Sequence, residues 1–347
     1  MIYKRFFAAQ NSARGFISRF EDIFFSDDVK RRYIIKGGAG TGKSTLLKKL
    51  AGEAEKRGHD VELYFCSSDA SSLDGVIIRD MGVCALDATA PHSYDTKYVG
   101  CVDTLIDVTR FLNAEALFEK TDKIKALKEE SALHFKSAYK SLKAAGTLIE
   151  ELYESGREHI DEKALSRTAQ RLTNTSKRTE RILNTRLASA FNARGKTCLT
   201  DYFTQVQRAY FIEDAYVTSP LLLKLIEEKA HERVTAFTDP LMPECYEAVY
   251  LEDSKILISS ELRLLPEQFT RIPRKKFYDG YYKENREKIR FEEKLIRALT
   301  DIATDSFKKA KESHDALEKI NAAAMDFAAM NEWMQTIISE ILDERKA

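Results

Sequence analysis

The chain has 347 residues, and its 55 lysines and arginines balance its 55 aspartates and glutamates, so the formal net charge is zero. This length is typical of two globular domains, and the balanced charge excludes recruitment of nucleic acid or an anionic membrane by the field of the whole protein. Because the sequence contains neither a run of 18 apolar residues nor a signal-peptide core, we expect a cytoplasmic protein without a membrane partner.

The first predicted elements are a short strand and an amphipathic helix joined by a glycine-rich loop. Residues 33–35 form the apolar run, and leucines and alanines recur on one face of a helix over residues 44–57. Residues 37–44 between them read GGAGTGKS, which fits the phosphate-loop pattern GxxxxGKS. Its glycines let backbone N–H groups curl around phosphates where a Cβ atom would collide. The predicted binding residues are Gly37, Gly38, Ala39, Gly40, Thr41, Gly42, Lys43, Ser44 and Thr45.

This phosphate-binding loop (P-loop) predicts a nucleoside triphosphate ligand with Mg²⁺. Lys43 should reach the β and γ phosphates, and Ser44 Oγ should ligate the metal. The helix N-terminus adds a partial positive charge. ATP is favoured over GTP because no guanine-reading NKxD motif is present. A glycine turn that binds no ligand is the alternative.

Acidic side chains follow the next two predicted strands. Asp87 comes directly after the apolar residues 83–86 and is a candidate Mg²⁺ ligand, with capping of the following loop as the alternative. Asp69 follows the strand at 61–65, at the end of a sheet where α/β proteins bind ligands. It either positions water or substrate, or caps the next helix.

The sequence does not identify a base for water activation. Ala88 follows Asp87, where many ATPases have a glutamate. His92 is a candidate phosphate sensor or base, although a solvated loop histidine is the alternative.

The chain contains an internal duplication. Residues 73–83 match residues 246–256 at an offset of 173, and Ile124 and Phe135 recur as Ile296 and Phe307 at an offset of 172. We therefore predict an α/β fold with a duplicated P-loop NTPase-type parallel sheet, each copy being followed by long helices. The expected units are a core over 1–103, a helical block over 104–182, a degenerate core over 183–262 and a second helical block over 263–347.

The second copy has lost the binding motif. Residues 211–220 read FIEDAYVTSP, with no glycine. Thr218 stands in place of Lys43, and Ser260 stands in place of Asp87. The apolar face of the following helix persists, so we expect this copy to keep the fold but to bind no nucleotide.

A basic stretch joins the two copies. Nine basic residues and one acid lie between Lys163 and Lys196. They are a candidate surface for a nucleic-acid or protein partner, with a solvated face or an internal seam as the alternative. Arg194 is the leading candidate, before Arg186 and Arg208, for an arginine that reaches the γ-phosphate from the second copy.

Four segments resemble a family of bacterial P-loop proteins of unassigned role that contain two tandem copies and are generally described as ATPases. They are RFFAAQNSARGF at 5–16, IIKGGAGTGKSTLLKKL at 34–50, YFCSSDASSLDGVII at 64–78 and GVCALDATAPH at 82–92. The resemblance implies a P-loop NTPase fold with ATP bound at residues 37–45, and no particular substrate. Members often keep a second GKS loop, from which this chain departs.

Three functions fit the sequence. The leading hypothesis is a Mg²⁺-dependent ATPase in which turnover changes how the two halves sit together. A small-molecule or nucleotide kinase is the second. Such kinases also begin with a strand, a P-loop, a helix and a strand that ends in an acid, and the long helices could form a substrate lid. The third is a nucleotide-gated binding module that grips a nucleic acid or a protein.

Overall fold

The computed structural model describes residues 4–90, 93–174, 180–278 and 280–343. The strands of the first copy are β1 (Lys4–Phe7), β2 (Ala9–Ser12), β3 (Gly15–Ser18), β4 (Arg31–Lys36), β5 (Val61–Phe65), β6 (Leu73–Ile78), β7 (Val83–Asp87) and β8 (Asp103–Asp107). Its helices are α1 (Phe20–Phe24), α2 (Lys43–Lys56), α3 (Ala114–Phe118), α4 (Thr121–Arg157) and α5 (Glu162–Thr173).

The second copy repeats this order of elements. Its strands are β9 (Leu183–Arg186), β10 (Ser189–Asn192), β11 (Gly195–Cys198), β12 (Arg208–Ile212), β13 (Val234–Thr238), β14 (Tyr246–Leu251), β15 (Ile256–Ser259) and β16 (Thr270–Ile272). Its helices are α6 (Thr218–Lys229), α7 (Tyr281–Glu284), α8 (Arg286–Ala322) and α9 (Phe327–Asp343). The final strand of each sheet, β8 or β16, extends past the expected core boundaries at 103 and 262.

Each copy contains a six-stranded mixed sheet. The strand order is β1-β5-β6-β7-β4-β8 in the first copy and β9-β13-β14-β15-β12-β16 in the second, which is the same order as expected from a duplication. The expected parallel sheet is corrected at one strand, because β6 pairs antiparallel with both β5 and β7, as β14 does with its neighbours. Only residues 66–72 and 79–82 connect β6 to β5 and β7. Parallel neighbours need a crossover of about a dozen residues or more, so these short loops impose antiparallel pairing.

Two long helices of 37 residues each, α4 and α8, lie antiparallel along each other. Ser131 Oγ donates to the Ala310 carbonyl at 3.2 Å, and near the other end Lys288 lies 3.5 Å from Glu151. In the described part of the chain, none of the helices is long and apolar enough to cross a bilayer.

The helical arms are exchanged between the copies. The first arm, α4 and α5, ends on the second core, where α5 packs against α6. The second arm, α8 and α9, returns to the first core, where α9 packs against α2. Each sheet is therefore covered on one side by a helix that follows the other sheet in the chain.

The helices of the two copies correspond at an offset of 165 residues, and not at the 172 that the sequence match indicated. Both ends of α4 and α8 agree with 165. The bridges Leu112–Met325 and Ile160–Tyr278 are equivalent between copies, with offsets of 165 from Ile160 to Met325 and 166 from Leu112 to Tyr278. The difference of seven residues is about two helical turns, and a shift of two turns superposes the same face of an amphipathic helix.

Candidate functional site

The P-loop connects β4 to α2 in a conformation that only glycine adopts easily. Gly40 and Gly42 have φ values of +73° and +86°, in the left-handed region. A Cβ atom added to Gly37 would lie 2.5 Å from a methyl group of Val108. Thr41 is fully buried, and its hydroxyl donates to the carbonyl of Gly38 at 2.8 Å. The sequence pattern therefore corresponds to a tight loop at the N-terminus of a 14-residue helix.

Lys43 lies inside this loop and is only 8 % exposed. Its Nζ donates to the carbonyls of Gly38 at 2.6 Å and Gly37 at 3.2 Å, and lies 3.5 Å from Asp87 Oδ2. Bound phosphate would offer stronger acceptors to the Lys43 ammonium than these carbonyls, because its oxygens carry negative charge whereas the carbonyls are neutral dipoles.

Asp87 ends β7, which pairs in parallel with β4 and places Asp87 opposite Ile35. Burial raises the pKa of Asp87, and the nearby Lys43 ammonium opposes that rise. The carboxylate also accepts from the Thr89 backbone N–H at 2.9 Å, which is the loop capping that the sequence offered as the alternative to Mg²⁺ binding. The role of Asp87 as a Mg²⁺ ligand stays a prediction.

Ser44 and Asp69 lie at the same edge of the sheet. Ser44 Oγ accepts from the Leu73 backbone N–H at 3.0 Å. Asp69 caps a turn by accepting from Ser71 N and Oγ at 2.9 and 2.6 Å, and its other oxygen accepts from Lys311 Nζ at 3.2 Å. Burial raises the pKa of Asp69, but the bonds from Ser71 and Lys311 outweigh it and hold the pKa below its usual value.

The second arm closes over the P-loop. Asn321 of α8 donates to the carbonyl of Ala39 at 2.8 Å. A Cβ atom at Gly40 would lie 2.5 Å from the backbone oxygen of Glu318, and one at Gly42 would lie 2.9 Å from Met330. Sequence reasoning missed these partners because they are separated from the loop by about 280 residues, with no local signal linking them.

A cavity of about 700 Å³ lies between the P-loop, the ends of β5 and β7, and the helices α4 and α8. Its polar end includes Asp69, Asp74 and Asp87, together with Lys311, His314 and Glu318 from α8. The other end contains Phe135, Tyr139 and Phe307, whose rings pack at centroid distances of 5.7 to 6.2 Å. The cavity thus combines charged groups with an aromatic wall, as small-molecule sites commonly do.

The two arms differ where they face the two cores. In α8, Lys311, His314 and Glu318 line the cavity beside the P-loop. The matching positions of α4 are Gly146, Ile149 and Tyr153. Ile149 and Tyr153 belong to an apolar cluster, and Gly146 packs tightly against Ala13. At these three positions, the lysine, histidine and glutamate therefore occur in α8, beside the intact loop, and not in α4.

The three candidate arginines of the second copy do not line the cavity. His92 is outside the described residues. Arg194 is exposed and does not line the cavity, and Arg208 is also exposed at the start of β12. The Arg186 guanidinium lies 5.6 Å from the ring centroid of Phe6. Among the described cavity residues, the second copy contributes the cation Lys311, which is a lysine and not the expected arginine.

The basic stretch is divided in the structure. Lys163, Arg167 and Arg171 are exposed on α5, as their spacing indicated. Arg181 instead pairs with the buried Glu227, and Lys196 is buried among acids. Lys177 and Arg178 are outside the described residues. The stretch is therefore partly a surface and partly internal ion pairs.

The degenerate loop of the second copy, residues 211–220, contains a buried carboxylate. Asp214 is 3 % exposed, and its carboxylate accepts from the backbone N–H groups of Tyr216, Val217 and Thr218 at 3.0 to 3.3 Å. The hydroxyls of Thr218 and Tyr278 also donate to it. These donors surround the N-terminus of α6, the equivalent of the site where α2 would meet a phosphate.

Comparison with protein-family models, curated proteins and solved structures found no match to this chain. The geometry of the site, with the residues that form it, therefore carries the functional proposal.

Proposed function

We propose that the chain binds Mg²⁺–ATP at residues 37–45 and hydrolyses it slowly. The observation that carries this proposal is the convergence of Lys43, Ser44 and Asp87 on a loop held open by left-handed glycines at a helix N-terminus. The resemblance to tandem P-loop proteins supports the same assignment.

Each residue at the loop has its own role in the proposed binding of Mg²⁺–ATP. Lys43 would exchange the carbonyls of Gly37 and Gly38 for the β and γ phosphates, while the loop N–H groups hold the remaining oxygens. Ser44 Oγ and Asp87 would hold Mg²⁺, which neutralises phosphate charge when bound.

We expect slow turnover because Asp69 and His314, the candidate bases of the cavity, are engaged by other side chains. Asp69 is tied to Ser71 and Lys311, and its lowered pKa makes it a weak proton acceptor. His314 lies on the cavity wall but is paired with neighbouring acids at 3.9 to 4.0 Å.

Through the second arm, nucleotide binding at the P-loop would change the position of the second core. Asn321 contacts the P-loop, and Lys311 contacts the end of β5 through Asp69. Movement of the loop on phosphate binding would therefore shift α8 along α4, and with it the second core.

A small-molecule kinase is the second candidate, because the aromatic end of the cavity adjoins the P-loop. Phe135, Tyr139 and Phe307 would hold an acceptor with an apolar ring beside the transferred phosphate. Phosphate release without any acceptor favours the ATPase, whereas ADP formation that depends on an added acceptor favours the kinase.

The deciding experiment is calorimetric titration of the full chain with ATP and Mg²⁺, followed by measurement of phosphate release. Lys43→Ala should abolish binding, whereas Lys48→Ala, which removes an exposed lysine from the same helix, should leave it unchanged. Thermal unfolding confirms that both variants fold. Unchanged ATP affinity in Lys43→Ala would contradict the assignment.

A further inference from the structure

Two carboxylates face each other across the strands beside the P-loop. Gly75 of β6 pairs with Leu86 of β7 in antiparallel register, and this register, continued by one residue, places Asp74 opposite Asp87. Directly opposed residues have Cβ atoms about 5 Å apart, and like charges in such a pair destabilise the sheet. Both residues line the cavity, and Asp74 is only 6 % exposed.

A β-bulge aims Asp74 toward the site. Tyr64 pairs with Gly75 and Phe65 pairs with Leu73, so Asp74 is the extra residue of β6. In the second copy, Phe237 pairs with Ala248 and Thr238 pairs with Tyr246, which makes Glu247 the extra residue. Bulges commonly redirect a side chain at a functional site. Both copies thus place an acid on the same bulge.

The second copy shows what this acid binds. Lys196 Nζ lies 2.7 Å from Glu247 Oε2, 3.1 Å from Glu261 and 3.6 Å from Asp239. The Lys196 side chain is only 12 % exposed and Glu247 is fully buried, where a charge needs a partner. Ser260 stands opposite Glu247 in the place of Asp87. The degenerate site therefore contains a covalently attached cation that the bulge acid Glu247 shares with Glu261 and Asp239.

The first copy has a different arrangement at these positions. Phe16 stands in the place of Lys196 in the β2–β3 hairpin, and its side chain lines the cavity. The second carboxylate, Asp87, is present instead of serine. Ser44 lines the same cavity as both acids, and its Oγ accepts from the backbone N–H of Leu73, the residue before Asp74.

We propose that Asp74 and Asp87 together hold a divalent metal ion beside the P-loop, at the place that the Lys196 ammonium fills in the second copy. Two carboxylates and a hydroxyl are ligands that Mg²⁺ and Mn²⁺ prefer. This deepens the proposed function, since it adds Asp74 to the residues that hold the metal of Mg²⁺–ATP. A two-carboxylate site also binds the metal before nucleotide arrives.

The test is Mn²⁺ binding to the nucleotide-free full chain, measured by the loss of the free-ion signal in electron paramagnetic resonance. The wild-type chain should bind one ion, and Asp74→Asn should weaken that binding by about tenfold or more. Asp95→Asn is the matched control, because it removes the same charge from a side chain that is 95 % exposed, and it should bind Mn²⁺ normally.

A second variant tests the comparison between the copies. Phe16→Lys should fill the first site with its own ammonium and abolish Mn²⁺ binding, whereas Phe16→Met should retain it. Wild-type affinity in folded Asp74→Asn would overturn the proposal, as would the absence of Mn²⁺ binding in the wild-type chain. Mn²⁺ binding without any ATP binding would reject the proposed function alone. Lys43-dependent ATP binding with an unaffected Asp74→Asn would reject this inference alone.

Discussion

At Gly40, two independent constraints exclude any other residue. The backbone has a φ of +73°, and the backbone oxygen of Glu318 lies 2.5 Å from where a Cβ atom would be placed. The first constraint comes from the loop itself, whereas the second comes from the other copy. The sequence motif accounts only for the first.

Gly40→Ala should destabilise the protein by about 1–2 kcal/mol from the left-handed conformation alone, and by more because of the clash with α8. Gly52→Ala is the control, since Gly52 lies inside α2 with no heavy atom near its missing Cβ. That variant should be more stable by about 0.5–1 kcal/mol through helix propensity. Urea unfolding measures both, and equal stability of Gly40→Ala and wild type would contradict the packing against Glu318.

Glu62 is a buried carboxylate that gives the first core a pH dependence. Burial raises its pKa, but hydrogen bonds from Arg79 at 2.6 Å and Tyr64 at 2.9 Å outweigh this and hold the pKa below 4.5. The stabilisation that ionised Glu62 gives the fold is therefore complete above its unfolded-state pKa, and it is lost as the pH falls through the folded-state pKa.

Glu62→Gln should be less stable than wild type at neutral pH, because the Arg79 guanidinium loses its ionic partner. Between about pH 5 and pH 3 the unfolding free energy of the variant should fall less steeply than that of wild type. Chemical denaturation across this range checks the slope. Parallel slopes for the two proteins would show that Glu62 titrates normally in the fold.

At the scale of elements, α9 completes the first core although it ends the second copy. Its apolar side chains enter the cluster around α2, and they are Met330, Met334, Ile338, Ile341 and Leu342. Burial of five such side chains contributes on the order of 10 kcal/mol. The first α/β unit therefore depends on the last helix of the chain.

Ile341→Ala should destabilise the first core by about 2–5 kcal/mol, because Ile341 is 1 % exposed and its removal leaves a cavity. Glu340→Ala, on the exposed side of the same helix, should change stability by less than about 0.5 kcal/mol. Thermal unfolding compares them. If both variants behave like wild type, α9 is not a structural part of the first core.

At the scale of the whole molecule, both copies contribute side chains to the candidate site. The first copy supplies the P-loop, and the second supplies Asn321 and Lys311 that touch its site. The second loop is internally satisfied by Asp214, and its bulge acid is satisfied by Lys196. The degenerate copy thus places its own side chains, Asp214 and Lys196, at the positions that correspond to the proposed phosphate and metal sites of the first copy.

One ATP should bind per chain, because the carboxylate of Asp214 already accepts the hydrogen bonds that a phosphate would need at α6. Calorimetric titration of the monomeric full chain gives this number directly. A stoichiometry of two would contradict the account of the second loop.

Several features followed from local sequence. The P-loop conformation, the strand ending at Asp87 and the start of α6 at Thr218 all depend on contiguous residues with specific backbone preferences. The duplication was visible because both copies repeat a strand with the same apolar pattern. The helical offset was wrong by two turns because an amphipathic repeat preserves the buried face under such a shift.

The sequence by itself determined the conformation of the loop and the absence of its motif from the second copy, since glycine, lysine and serine act there through a few adjacent peptide units. The exchange of the arms was decided only in the tertiary structure, because α2 and α6 present similar apolar faces and sequence does not say which arm covers which. Strand register likewise decided that Asp74 faces Asp87. Register depends on backbone hydrogen bonds between strands and on a bulge, and neither leaves a pattern in the residues of one strand.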